Sequence, residues 1–213
     1  MARAAARPAG DAPPDPWDPV VRLTHWAVAG IVLANALFTH GGGLVHIWLG
    51  WIAMALLALR LVWGIAGPKA ARFTAFPPRP LAALGHLRDL IRGTVRDYPS
   101  HNPAGAMMVY ALWIVIAVAI GTGLMMTKGA TPMEIARRNA VVTTGDWSTL
   151  VETGESRESD DEDRSGLVKG LHEAAANLLL LLAVLHLAGV LVESAALRRN
   201  LVRPMIGVRT GRR

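Results

Sequence analysis

The chain has 213 residues, of which 52% are hydrophobic and only 18% charged. A soluble domain carries about a quarter charged residues, so this balance argues for a membrane protein and against a soluble globular enzyme. A net charge of +6 could suggest nucleic acid, but in a membrane chain the location of the charges says more than their sum, and the lack of cysteine excludes disulfides, thiolate metal sites, iron–sulfur clusters and covalently attached haem.

Residues 1–19 are rich in Ala, Pro and Asp without apolar periodicity, and are expected to form a flexible cytoplasmic tail. Four apolar blocks follow, each close to or above the ~20 residues needed to cross a hydrocarbon core. The first runs from Val20 to Thr39. Gly41-Gly42-Gly43 supplies a tight reversal into the second, Leu44 to Gly67. Between the second and third blocks, residues 81–98 read as an interfacial helix or a solvated helical linker. Leu84, Ile91 and Val95 share one side, and Arg88, Arg92 and Arg96 line an adjacent arc, where they could reach lipid phosphates. The third block, about Ala104 to Thr127, starts after Asn102-Pro103, a helix-start signal. An acidic loop spans about 128–165, with residues 153–165 expected to be disordered. The fourth block runs from about Gly166 to Leu197, and a basic cytoplasmic tail, 198–213, closes the chain. The expected fold is all-α, an integral membrane four-helix up-down-up-down bundle over residues 20–197.

Loop charge sets the expected orientation. The N-terminal tail through Arg22 carries three Arg, six basic residues lie between the second and third blocks, and six Arg follow the fourth, so 15 Lys and Arg fall on one side against six on the other. Both termini should therefore face the cytoplasm, and the acidic loop the periplasm.

Ionisable residues inside a span are costly and are functional candidates by default. His25 lies near the start of the first span, His46 at the start of the second, and His172 and His186 both lie in the fourth. The last two are fourteen residues apart, which puts both rings on roughly one helix face about 21 Å apart along the axis. Chain direction then pairs His46 with His172 near the periplasm and His25 with His186 near the cytoplasm. Two bis-histidine sites suit two b haems, because neutral imidazole is a good axial ligand for haem iron. Gly50, one turn from His46, and the small residues Ala174, Ala175, Ala176 and Ala183 leave room for a flat macrocycle or for plain helix packing. Arg60, fourteen residues after His46, falls on nearly the same face at the other level, where it could meet a haem propionate or a quinone oxygen, or merely snorkel to the interface. His40, His86 and His101 lack such partners and are expected to be structural or solvated.

The segments WDPVVRLTHW (17–26), HIWLGW (46–51), RLVWGIAGP (60–68), HNPAGAMM (101–108) and LHEAAANLLLLLAVLHLAGVLVES (171–194) resemble the bacterial cytochrome b561 family. That family includes the cytochrome b subunits of nickel–iron hydrogenases and formate dehydrogenases. The resemblance covers roughly residues 17–206, and it implies a multi-pass protein of the bacterial inner membrane, with His25, His46, His172 and His186 as axial ligands of two haems b. It further implies electron exchange between ubiquinone or menaquinone and a periplasmic redox protein, either a c-type cytochrome or a dehydrogenase or hydrogenase subunit. A homodimer is compatible with it. Two other readings are a free-standing superoxide:ubiquinone oxidoreductase of the same family and a haem-free transporter or scaffold.

Overall fold

The computed structural model describes residues 14–39, 41–94, 98, 100–144 and 158–208. The described residues form six α-helices and three short 3-10 turns, with no strand. The helices are α1 (Pro19–Leu37), α2 (Leu44–Ala66), α3 (Pro80–Ile91), α4 (Pro103–Met126), α5 (Pro132–Thr144) and α6 (Glu158–Ala196). Four helices are long and apolar enough to cross a membrane: α1, α2, α4 and the Arg164–Ala196 part of α6. Their outer faces carry Leu33, Val62, Ile114 and Val184, each more than half exposed. So many large apolar side chains facing outward would be costly in water and are at home against lipid.

Local chemistry starts and stops these helices. Asp18 caps α1, its Oδ1 accepting from the N–H groups of Val20 (3.0 Å) and Val21 (3.2 Å), with Pro19 at the first helical position. Asn102 does the same for α4 by accepting from the N–H of Gly105 (2.6 Å), again with proline following. The reversal between α1 and α2 uses Gly42 at φ 78°, a conformation other residues adopt only with strain.

Three segments depart from expectation. The expected acidic loop holds a whole helix, α5. Thr131 and Glu134 form a capping box at its start: Glu134 Oε2 accepts from the Thr131 N–H (2.7 Å) while Thr131 Oγ1 accepts from the Glu134 N–H (3.3 Å). Residues 158–165, expected to be disordered, belong to α6, which begins at Glu158. Residues 145–157 lie outside the described residues, as do the expected tail at 1–13 and Val95 and Arg96 of the expected interfacial helix. That helix ends at Ile91, earlier than expected.

The described chain divides into two compact units. The first comprises Met1–Ala27, Leu57–Trp113 and Leu181–Arg213. Phe76 is buried in it, and Phe73 stacks near Trp113 (5.5 Å between ring centres) and Tyr110 (6.3 Å). Gly64 makes this possible: a methyl group there would overlap the Phe73 ring. The buried set also includes Arg60, His86, Ser100 and Glu193, an unusually polar interior for a membrane protein. The 3-10 turn Arg203–Ile206, in the expected basic tail, is held to the start of α1: the Trp17 N–H donates to Pro204 O (3.2 Å) and Trp26 Nε1 to Met205 O (3.0 Å).

The second unit comprises Val28–Leu56 and Ile114–Leu180. Ala53, Val115, Ile116, Thr122 and Ala175 are buried in it. Small side chains at such positions let helix backbones approach closely, the main source of packing between spans in lipid.

Candidate functional site

Each unit brings one pair of histidines together. In the first, the His25 and His186 rings lie 6.2 Å apart centre to centre. In the second, His46 and His172 lie 5.9 Å apart. These are the two pairs drawn from chain direction. A metal–imidazole bond of about 2.0–2.1 Å, plus roughly 1.1 Å from ring nitrogen to ring centre, puts two axial imidazoles of one metal about 6.3 Å apart. Both separations therefore fit a single iron between two rings.

In the second pair the surroundings of His172 fix its tautomer. Thr122 Oγ1 donates its one proton within α4, to Val118 O at 2.8 Å, so its lone pair is left to accept. His172 Nδ1 lies 3.0 Å from that oxygen and 3.0 Å from Ala119 O. With two acceptors facing it, Nδ1 carries the proton, and Nε2 keeps the lone pair that a metal needs. Beside His46, a Cβ built at Gly50 would meet nothing within 4 Å, so that side of α2 is open. Ala175 is buried, whereas Ala174 faces outward.

Around the first pair the environment is different. His25 Nδ1 is buried without a hydrogen-bond partner among the described residues. Trp26 stands edge-on to the His25 ring at 5.0 Å. Arg60 is 7% exposed; its Nη2 donates to Ala71 O at 3.3 Å and its guanidinium carbon lies 4.9 Å from the Trp113 ring centre. The guanidinium is thus enclosed by protein and stacked on an aromatic ring.

Two histidines expected to be structural or solvated prove to be packed, and His40 lies outside the described residues. His101 sits between Trp17 (5.0 Å) and Phe76 (4.7 Å), with its Nδ1 3.2 Å from Ser100 Oγ. Burial, reinforced by the positive charge of Arg60, lowers its pKa to about 4. His101 is thus neutral at pH 7. His86 is buried, with its Nε2 3.7 Å from Glu193 Oε1. Burial lowers its pKa, against the opposing pull of Asp89. Asn102 donates from Nδ2 to the other Glu193 oxygen, so this carboxylate links α3, α4 and α6.

The sequence matches the model of the prokaryotic cytochrome b561 family over residues 16–208. The chain belongs to the prokaryotic cytochrome b561 family. No curated protein and no solved structure matches it. Membership makes this a membrane protein that binds b-type haem and transfers electrons, in keeping with its four spans, and it sets aside the haem-free reading. In this b561-type cytochrome, sequence reasoning missed Thr122, Glu193 and the inward role of His86. A polar residue within an apolar run was the available signal for Thr122, since such a hydroxyl needs a partner.

Proposed function

We propose that the protein carries electrons across the bacterial inner membrane through two b haems, between the quinone pool and a periplasmic redox partner. The observation that carries the proposal is the presence of two imidazole pairs, at 5.9 and 6.2 Å, each of the width one iron spans. His46 and His172 would hold one haem, and His25 and His186 the other. Each haem, when bound, supplies one-electron exchange between ferric and ferrous iron. The four side chains are neutral donors, and His172 keeps its metal-binding nitrogen free by donating from Nδ1 to Ala119 and Thr122. Open space at Gly50 leaves room for a macrocycle beside His46.

By the distribution of Lys and Arg, both termini face the cytoplasm, which assigns the His25–His186 pair to that side. Quinone is assigned there too. A cleft lined by Trp17, Asp18, Pro68, Ala70 and Ala71 borders the carbonyl that holds Arg60. The cationic side chain favours negative charge developing on a quinone oxygen. A c-type cytochrome or a dehydrogenase or hydrogenase subunit would exchange electrons at the other face.

Haem analysis of single variants tests the assignment. The purified protein should contain two haems per chain, both released by acid acetone because no cysteine tethers them. His46→Ala and His172→Ala should delete one spectral component, and His25→Ala and His186→Ala the other. One haem per chain, or loss of the same component from His46 and His186 variants, would overturn the proposal.

A further inference from the structure

Among the described residues, three buried side-chain nitrogens lack a hydrogen-bond partner: Arg22 Nε, His25 Nδ1 and Arg60 Nη1. All three belong to the unit that holds the His25–His186 pair. An unsatisfied buried donor costs about 1–3 kcal/mol, and more when it is charged. Arginine cannot escape that cost by releasing its proton. Two arginines of this unit each leave one buried guanidinium nitrogen unmet, a need that an anionic acceptor would fill.

The placement of the two arginines narrows what that acceptor is. Arg22 stands three residues before His25 on α1, hence on the same helix face. Its guanidinium lies against the backbone of Gly207, where a side chain would collide with Nη1. Arg60 is held from the other side by Ala71 O and the Trp113 ring, with Nη1 still unused. Asp18 places one carboxylate within the field of Arg60. Its Oδ1 already accepts from the N–H groups of Val20 and Val21 and from Trp63 Nε1 at 2.8 Å. That oxygen is thus engaged with other donors, while Arg22 Nε and Arg60 Nη1 have no hydrogen-bond partner among the described residues. Haem b carries two carboxylates, its propionates, on one edge of the ring, and a guanidinium forms strong charge-assisted bonds with a carboxylate.

We infer that Arg22 and Arg60 anchor the propionates of the haem held by His25 and His186. The inference rests on the bis-histidine reading of that pair, and it adds Arg22 to the site. Neither arginine touches the iron; both set the charge around it.

The test uses the full-length haem-loaded protein, with Arg22→Gln, Arg60→Gln and the corresponding Lys variants. Haem per chain and the two midpoint potentials are measured, with bound phospholipid followed by native mass spectrometry. Each Gln variant should lower the potential of the component that His25→Ala deletes, since losing a nearby cation favours the ferric haem. The expected size is a three- to tenfold change in the ferric/ferrous equilibrium, at about 59 mV per tenfold for one electron. Selective loss of that haem from a Gln variant, with recovery in the Lys variant, supports the anchor equally. If a Gln variant loses both haems, the Lys variant is read instead and should show a smaller shift in the same component. Unchanged potentials in all four variants would sink the inference, as would a shift confined to the component that His46→Ala deletes. Loss of bound phospholipid without a change in potential would assign the arginines to a lipid phosphate instead. A His25→Ala protein that keeps both haems refutes the underlying ligand assignment, an outcome distinct from these.

Discussion

Thr122→Val perturbs the His46–His172 site through one hydrogen bond. The imidazole N–H of His172 is shared between Thr122 Oγ1 and Ala119 O, each at 3.0 Å. Valine keeps the volume and removes one of the two acceptors. Complete loss of such a partner commonly costs 10–100-fold in metal affinity, but here the Ala119 carbonyl remains. The loss should therefore fall at the low end of a net hydrogen bond, about 0.5–1 kcal/mol. An imidazole whose N–H is less well accepted is a weaker electron donor, so the ferric state loses more than the ferrous and the potential rises. If all of the loss falls on the ferric state, the rise is about 20–40 mV at 59 mV per tenfold. A spectroscopic redox titration measures it, with the His46→Ala protein identifying which component belongs to the site. An unchanged potential, a fall, or a shift in the other component would refute the tautomer and the pairing on which the reasoning stands.

Asn102→Leu removes both the Glu193 contact and the cap of α4. With the cap worth about 1 kcal/mol and the buried carboxylate left short of a donor, the melting temperature in detergent should fall by several degrees; an unchanged value would show the link carries no stability. At α5, the Thr131 backbone and hydroxyl hydrogen bonds pull the Glu134 pKa below its ordinary 4.5. A lowered carboxyl pKa means that the capping box stabilises the helix above pH 4.5 and loosens as pH falls through the folded-state value. Amide protection in the first turn of α5 should drop on acidification in the native protein and not in Glu134→Gln, which carries no titrating carboxyl, whereas equal pH dependence in both would contradict the capping role.

The spans were legible because lipid allows little else: long apolar runs became helices with ends within one or two residues of expectation at α2 and α4. The polar segments were not, because there the deciding contacts are specific. Helix α5 announces itself only by Thr131, Pro132 and Glu134, a capping box with proline at the first position, and by no apolar stripe. The acidic run at 160–163 carries the composition of a disordered loop, yet helix α6 extends back through it. In α3, Ala83 and His86 turn inward while Leu84 and Ile91 are exposed, because Glu193, over a hundred residues away, receives the histidine. A separation of 50 residues likewise hid Thr122 from His172. Pairing the histidines needed only chain direction; what holds each ring needed the fold.

The stretch beyond α6 bears on how the protein can be cut and tagged. Pro204, Met205 and Gly207 meet Trp17, Trp26 and Arg22 through backbone atoms, so the path of this stretch is fixed, and Gly207 in it has no room for a side chain. Deleting everything after Asn200 would strip the acceptor from Trp26, the immediate neighbour of His25, and free the Arg22 guanidinium. An affinity tag is better joined downstream of this stretch, with a spacer, than in place of these residues. A shortened protein that purifies well but has lost haem would be a fault of trimming rather than of the helices.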